Sequence, residues 1–161
     1  MIDNELQILK TAILNEAEGY QFYTLAAQQV TDPGTKQAFS ALAADEEKHK
    51  LWLLNIYQSL SKHQFPDSPP SREIPSPGIF EYGKVKPESG TMELSVFRIG
   101  ILMEKASVDF YRKAASESRS EPVKNLCSQL VEWEIGHLDI LEKIYDQLKE
   151  EWWDKQGFSP A

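Results

Sequence analysis

The sequence has little of the chemistry that secreted, membrane-bound and nucleic-acid-binding proteins depend on. Cys127 is the only cysteine, which excludes an internal disulfide and any zinc or iron–sulfur site built from several cysteines. No apolar run approaches the roughly 20 residues that span a bilayer, and the N-terminus lacks the basic and apolar segments of a secretory signal. The formal net charge of −8 repels phosphate backbones and anionic lipid surfaces. We therefore expect a cytoplasmic protein that binds neither nucleic acid nor membrane.

The hydrophobic residues that are present recur in steps of three and four, which is the spacing of one face of an α-helix. Four segments show this pattern, and the alternation typical of β-strands is absent. A chain of 161 residues suits one domain with a buried core. We expect a single all-α domain over residues 1–161, with helices at about 3–30, 33–63, 91–118 and 121–152.

A proline-rich segment, at about residues 64–90, separates the second predicted helix from the third. It holds six of the nine prolines and therefore cannot be helical throughout. Helices of about thirty residues are about 45 Å long, a height that this segment could cross. The short connections at 30–34 and 118–121 require antiparallel hairpins. We expect a four-helix bundle of two hairpins joined by a long crossover. The alternative, a disordered linker between two separate hairpins, would leave each apolar face exposed.

The two predicted hairpins are copies of each other at a constant offset of 88 residues. Bundle patterning alone explains matched apolar residues, such as Leu6 with Leu94. It does not explain the matched polar pairs, which are Glu16 with Glu104, Tyr23 with Tyr111, Glu46 with Glu134, and His49 with His137. Two like hairpins packed together would be related by an approximate two-fold axis, and equivalent residues would face each other across it.

Six ionisable residues occupy positions that the periodicity assigns to the bundle interior: Glu16, Glu46, His49, Glu104, Glu134 and His137. Burying one unpaired carboxylate costs several kcal/mol, so four in one core require protons or cations. Each of these glutamates lies 13 residues beyond the predicted start of its helix. That places each carboxylate about 20 Å along its helix, near the middle of the bundle. We therefore expect all four carboxylates to converge on one layer.

Two Glu-x-x-His pairs, Glu46 with His49 and Glu134 with His137, hold their side chains on one helix face. One Glu from each of two helices, together with a Glu-x-x-His pair from each of the other two, is the pattern of di-iron and di-manganese carboxylate proteins. Two divalent ions balance the charge of four carboxylates, and oxygen and nitrogen donors suit iron or manganese. We predict two iron ions joined by an oxo or hydroxo bridge, with manganese as the alternative.

With these residues the chain resembles the rubrerythrin-related branch of the ferritin-like superfamily, over roughly residues 3–150. The segments that carry the resemblance are 16–23, 45–49, 104–111 and 134–137. The resemblance implies that Glu46 and Glu134 bridge two metal ions. It implies that Glu16 and Glu104 are terminal ligands, and that His49 and His137 bind one ion each. Tyr23 and Tyr111 would donate hydrogen bonds to the carboxylates.

The same resemblance implies a homodimer that reduces peroxide or O₂, or oxidises iron. Two departures from the family pattern matter. The chain has no cysteine-ligated rubredoxin module, so electrons would come from a separate donor protein, and Ser107 stands where the family has an additional Glu. We expect a non-haem di-iron oxidoreductase. Ferritin-type iron oxidation and storage, a di-manganese catalase, a di-iron oxygenase and a non-enzymatic metal-binding bundle are the alternatives.

Overall fold

The computed structural model describes residues 2–61 and 92–157, with side chains from residues 5–61 and 93–157. These residues form four α-helices: α1 (Ile2–Gln29), α2 (Pro33–Ser61), α3 (Met92–Glu117) and α4 (Glu121–Lys155). α1 packs against α2 and α3 packs against α4, while α1 also contacts α3. The predicted all-α bundle of two antiparallel hairpins is therefore confirmed. The predicted crossover at 64–90 lies outside the described residues.

The turn between α1 and α2 is fixed by the residues at its end. Asp32 Oδ2 accepts a hydrogen bond of 2.8 Å from the backbone N–H of Thr35, which satisfies one of the free donors at the start of a helix. Pro33 occupies the first helical position, where its missing N–H has no cost. The hydrogen bond from Thr35 lowers the pKa of Asp32.

The turn that precedes α4 is held by a carboxylate from α1. The Ser120 side chain makes no capping hydrogen bond. Instead, Glu5 Oε1 accepts bonds of 3.2 Å from the backbone N–H groups of Arg119 and Ser120. Glu5 Oε2 accepts a bond of 2.7 Å from the Ser118 hydroxyl. Glu5 is buried, and it anchors the turn of the other hairpin.

An equivalent contact joins α3 to the first turn. Glu93, which lies 88 residues after Glu5, accepts hydrogen bonds from the Thr31 backbone N–H at 3.4 Å and from the Thr31 hydroxyl at 3.2 Å. The first helix of each hairpin therefore holds the turn of the other hairpin. This is the two-fold relation that the sequence repeat predicts.

Replacing Glu5 with Gln should lower the free energy of unfolding by about 1–3 kcal/mol, because buried donors lose a charged acceptor. Denaturant unfolding monitored by circular dichroism measures the change. Glu93→Gln is the matched control and should cost less than about 1 kcal/mol, because the Glu93 bonds are exposed. An equal loss in the two variants would contradict a special role of Glu5.

The apolar core has two large parts at opposite ends of the helices and a small third part around Val123 and Cys127. One large part centres on Phe39, which stacks on Phe97 with ring centroids 4.5 Å apart. The other large part includes Leu9, Leu53 and Leu130, all fully buried. The middle of each helix lies between these two clusters. Across residues 2–61 and 92–157, no helix is long and apolar enough to cross a membrane.

Candidate metal centre

A buried ionisable layer separates the two apolar clusters. It contains all six residues that the sequence assigns to the interior, namely Glu16, Glu46, His49, Glu104, Glu134 and His137. The four glutamates are at most 1% exposed, and the two histidines are 7% and 4% exposed. Each helix contributes one glutamate, and the helices that form the Glu-x-x-His pairs also contribute a histidine. The structure therefore brings the predicted residues together at one height.

The six residues form two overlapping groups. In each group, one potential ligand atom from every residue lies within 4.8 Å of those from the others. Position 1 is formed by Glu16, Glu46, His49 and Glu134, and position 2 is formed by Glu46, Glu104, Glu134 and His137. Glu46 and Glu134 belong to both groups. This is the arrangement of two cation positions that share two carboxylates, as the resemblance implies for the bridging ligands.

Both imidazoles direct Nδ1 towards the carboxylates. His49 Nδ1 lies 3.1 Å from Glu16 Oε2 and 3.3 Å from Glu46 Oε2. His137 Nδ1 lies 3.4 Å from Glu46 Oε1 and 3.5 Å from Glu134 Oε2. The nitrogen of each ring is therefore placed to bind the same cation as the neighbouring carboxylates.

Several buried atoms in this layer have no hydrogen-bond partner among the described residues. They are Glu46 Oε1, Glu104 Oε2, Glu134 Oε1 and His137 Nδ1. A buried polar atom without a partner costs free energy, so an unsatisfied group calls for a proton or a cation. Carboxylate oxygen and imidazole nitrogen are donors that iron and manganese accept. The residues therefore fit a pair of divalent cations.

The two tyrosines connect the hairpins at this layer. The Tyr23 hydroxyl donates a hydrogen bond to Glu104 Oε1, and the Tyr111 hydroxyl donates one to Glu16 Oε1. Each tyrosine therefore contacts the glutamate of the opposite hairpin. Burial, together with the charge of the contacted glutamate, raises the pKa of each tyrosine well above its usual value, which keeps the hydroxyl protonated as a donor.

Asn15 is a buried polar residue of the site that sequence reasoning missed. Its Nδ2 donates to Ser107 Oγ at 3.0 Å and to the Tyr111 hydroxyl oxygen at 3.2 Å, and lies 3.5 Å from Glu16 Oε1. Asn15 is 1% exposed and Ser107 is fully buried. Ser107, which replaces the family's additional Glu, therefore binds an amide rather than contributing a carboxylate to the layer.

Asn15 and Ser107 have no polar equivalents in the other half of the sequence repeat. At the offset of 88, Asn15 corresponds to Met103 and Ser107 corresponds to Gly19. Gly19 lies against Glu46, since a Cβ added to it would approach the Glu46 carboxylate carbon to 3.3 Å. The residues around the two halves of the site therefore differ, although the six central residues match.

Close packing of charge shifts several pKa values in the metal-free protein. Burial and the charge of Glu46 raise the pKa of Glu16 to about 8, and burial raises that of Glu134. Burial opposes ionisation of Glu46 too, but the imidazoles of His137 and His49 lower its pKa to about 2.

Burial would lower the pKa of His49, but Glu16 and Glu46 raise it to about 9. Burial likewise opposes protonation of His137, whose pKa is nevertheless raised by neighbouring carboxylates. The site therefore retains protons that cations would displace.

A cleft of about 560 Å³ between α2 and α4 reaches both histidines from the surface. The indole of Trp133 stacks on His49 with ring centroids 4.4 Å apart, and Trp52 packs against Trp133 at 5.0 Å. Asp45 lies on the other side, with Oδ2 3.8 Å from His137 Nε2. The cleft therefore connects the histidine side of the layer with the protein surface.

A four-helix bundle that buries two glutamates and two Glu-x-x-His pairs at mid-height is a ferritin-like protein. The chain belongs to the rubrerythrin family, because the model of that family matches residues 7–145. This range contains all six residues of the site. Family membership and the buried Glu/His layer together support a di-iron carboxylate protein.

A solved structure with the same fold is similar to this chain. It is a hypothetical protein from Pyrococcus furiosus, with a TM-score of 0.69 and 24% sequence identity, covering 91% of this chain and 90% of that chain. At this identity the similarity shows the fold alone. No curated protein matches the chain.

Proposed function

We propose that the protein binds two iron ions and reduces peroxide or O₂ with electrons from a separate donor protein. The observation that carries this proposal is the sharing of Glu46 and Glu134 between two four-residue groups. Glu16 and His49 would complete the first ion's protein ligands, and Glu104 and His137 would complete those of the second. Four carboxylates offset the charge of two divalent ions, so the buried layer becomes neutral without bound protons.

Iron cycling between Fe²⁺ and Fe³⁺ at both positions supplies the two electrons that convert H₂O₂ and two protons into two water molecules. The protein contributes a fixed set of ligands in a buried layer. Such preorganisation matters because weakly held carboxylates would rearrange at each change of iron charge. Tyr23 and Tyr111 fix the orientation of Glu104 and Glu16 through their hydroxyl hydrogen bonds.

The cleft supports a small substrate and an external reductant. Its inner end is formed by His49 and His137, and its mouth is open at the protein surface. Peroxide and O₂ are small compared with about 560 Å³. A donor protein docked over the cleft would contact Trp52 and Trp133, which line it beside the proposed ligands His49 and His137.

Stopped-flow mixing of anaerobic, iron-loaded protein with H₂O₂ tests the proposed reaction. We expect two bound iron ions per chain and oxidation of both ferrous ions by one H₂O₂. Repeated additions of a one-electron donor, such as reduced rubredoxin, should then sustain peroxide consumption. Glu46→Gln, treated in the same way, controls for iron bound elsewhere on the acidic surface. Protein that holds two irons but is oxidised by neither H₂O₂ nor O₂ would exclude this reaction.

A further inference from the structure

The two histidines have different outer partners, although the glutamates beside them are equivalent in the repeat. His137 Nε2 faces the carboxylate of Asp45, at 3.8 Å. The His49 ring is covered instead by the indole of Trp133, at an interplanar angle of 14°. Asp45 and Trp133 are themselves equivalent residues, because they are separated by the repeat offset of 88. The repeat therefore places a carboxylate beside one imidazole and an aromatic ring beside the other.

Asp45 is held in this orientation by a residue on its own helix. Lys48 Nζ donates a hydrogen bond of 2.7 Å to Asp45 Oδ1, which leaves Oδ2 directed at His137. A carboxylate beside the outer nitrogen of a metal-binding imidazole favours the tautomer that leaves the inner nitrogen free and increases its basicity. At 3.8 Å Asp45 acts on His137 through its charge and not through a direct hydrogen bond. An indole has only a donor and cannot act in this way. His137 is therefore the stronger of the two nitrogen ligands.

The two terminal glutamates, Glu16 and Glu104, also differ in a way that favours position 2. Both accept a tyrosine hydroxyl, but Glu16 Oε1 also has the Asn15 amide at 3.5 Å. At Glu104 the equivalent of Asn15 is Met103, which has no hydrogen to donate. Each hydrogen bond donated to a carboxylate withdraws charge that would otherwise be available to a cation. Glu16 is therefore the weaker of the two terminal ligands.

The unsatisfied atoms are concentrated at position 2. Glu104 Oε2 and His137 Nδ1 have no hydrogen-bond partner among the described residues, and neither does Glu46 Oε1, which faces His137. At position 1 the corresponding atom is Glu134 Oε1, which lies 3.7 Å from His49 Nδ1. Both oxygens of Glu16 accept hydrogen bonds, from the Tyr111 hydroxyl and from His49 Nδ1 when it is protonated. A cation at position 2 therefore satisfies more buried atoms and displaces fewer existing contacts.

We propose that position 2 binds a divalent cation more tightly than position 1, and that Asp45 is the positioning residue responsible for much of the difference. This inference rests on the proposed two-cation site, but it does not depend on which reaction the site performs. It goes beyond the matched ligand set, which by itself predicts two equal positions.

Titration of the metal-free protein with Co²⁺, followed by calorimetry and visible absorption, tests the inequality. We expect two binding steps whose dissociation constants differ by at least about tenfold, the lower limit for an outer-sphere effect. His49→Gln should retain the tight step and lose the weak one, whereas His137→Gln should lose the tight step. The opposite assignment would overturn the proposal.

Asp45→Asn tests the positioning residue. It should raise the dissociation constant of the tight step by roughly 10- to 100-fold and leave the weak step unchanged. Glu132→Gln removes one negative charge from the same cleft, and it should leave both steps unchanged. Equal effects of Asp45→Asn and Glu132→Gln would show a general charge effect and overturn the role of Asp45.

The outcomes separate this inference from the proposed function. Two Co²⁺ ions bound with equal constants would overturn the inequality while leaving the two-metal site intact. No Co²⁺ binding by folded wild-type protein would overturn both.

The double variant Asn15→Met with Ser107→Gly gives the first half of the site the Met of position 103 and the second half the Gly of position 19, so that the two halves match. It should lower the dissociation constant of the weak step towards that of the tight step. A weak step that stays unchanged in that folded variant would count against the role assigned to Asn15.

Discussion

Loading the metal-free protein with Fe²⁺ under anaerobic conditions should raise its Tm by roughly 10 to 30 °C. An ion at a free concentration of 100 to 1,000 times its Kd stabilises the folded state by about 2.7 to 4.1 kcal/mol. Two ions therefore contribute about 5 to 8 kcal/mol, and a chain of this size gains about 2 to 4 °C per kcal/mol. The effect is large because bound cations satisfy buried carboxylate and imidazole atoms that have no hydrogen-bond partner among the described residues.

The stability of the metal-free protein should fall as the pH rises from about 5 to about 9. The pKa of Glu16 is raised from 4.5 to about 8, that of His49 is raised from 6.5 to about 9, and that of Glu134 is also raised. In this window the folded protein binds more protons than the unfolded chain. The free energy of unfolding therefore falls by up to about 1.4 kcal/mol per pH unit for each extra proton held. Glu46, with a lowered pKa of about 2, acts in the opposite direction only below about pH 4.5.

Cations and protons compete for the same atoms, so the metal-induced rise in Tm should be larger at pH 8 than at pH 5.5. Differential scanning calorimetry at the two pH values, with and without Fe²⁺, measures both effects. Mg²⁺ is the control ion: it loses its water reluctantly and should shift the Tm far less. Metal-free protein that becomes more stable between pH 5.5 and 8, or a Tm that Fe²⁺ leaves unchanged, would contradict the electrostatic account.

The helices were predictable because local signals and apolar periodicity agree along the chain. The short connection expected at 30–34 lies between α1 and α2, where Asp32 accepts the capping hydrogen bond from Thr35. α4 is the main difference, since it ends at Lys155 and not near residue 152. The helix ends just before Gly157, whose φ of 74° is the left-handed conformation found after many helix C-termini.

The six central residues of the site were predictable because they are ionisable residues at positions where the helical periodicity has apolar ones. Tyr23 and Tyr111 were implied by the family resemblance, but the other polar neighbours were not predictable, because they depend on how one hairpin packs on the other. Asn15 reaches Ser107 across 92 positions of sequence, and Glu5 binds a turn more than 110 residues away. Periodicity identifies the inner face of each helix, but it does not specify the rotation and height that bring these particular side chains together.

The sharing of Glu46 and Glu134 leads to the other large expected effect. Glu46→Gln and Glu134→Gln should each weaken the binding of both ions by at least about 100-fold, because removing one partner of a buried charge pair costs about 3 to 5 kcal/mol. Each residue belongs to both four-residue groups, so its charge is lost to both positions at once. After dialysis against a weak chelator, these variants should hold neither ion.

The terminal glutamates provide matched controls with the same chemical change. Glu16→Gln should weaken only position 1, and Glu104→Gln should weaken only position 2, so each variant should keep one ion. Metal analysis of the dialysed proteins, with circular dichroism to verify folding, measures all four variants together. A Glu46→Gln variant that keeps one ion, or a Glu16→Gln variant that loses both, would show that the carboxylates are not shared as the geometry indicates. Sharing of the carboxylates would explain what the sequence repeat does for the site, because each of the two related hairpins supplies one of the shared carboxylates.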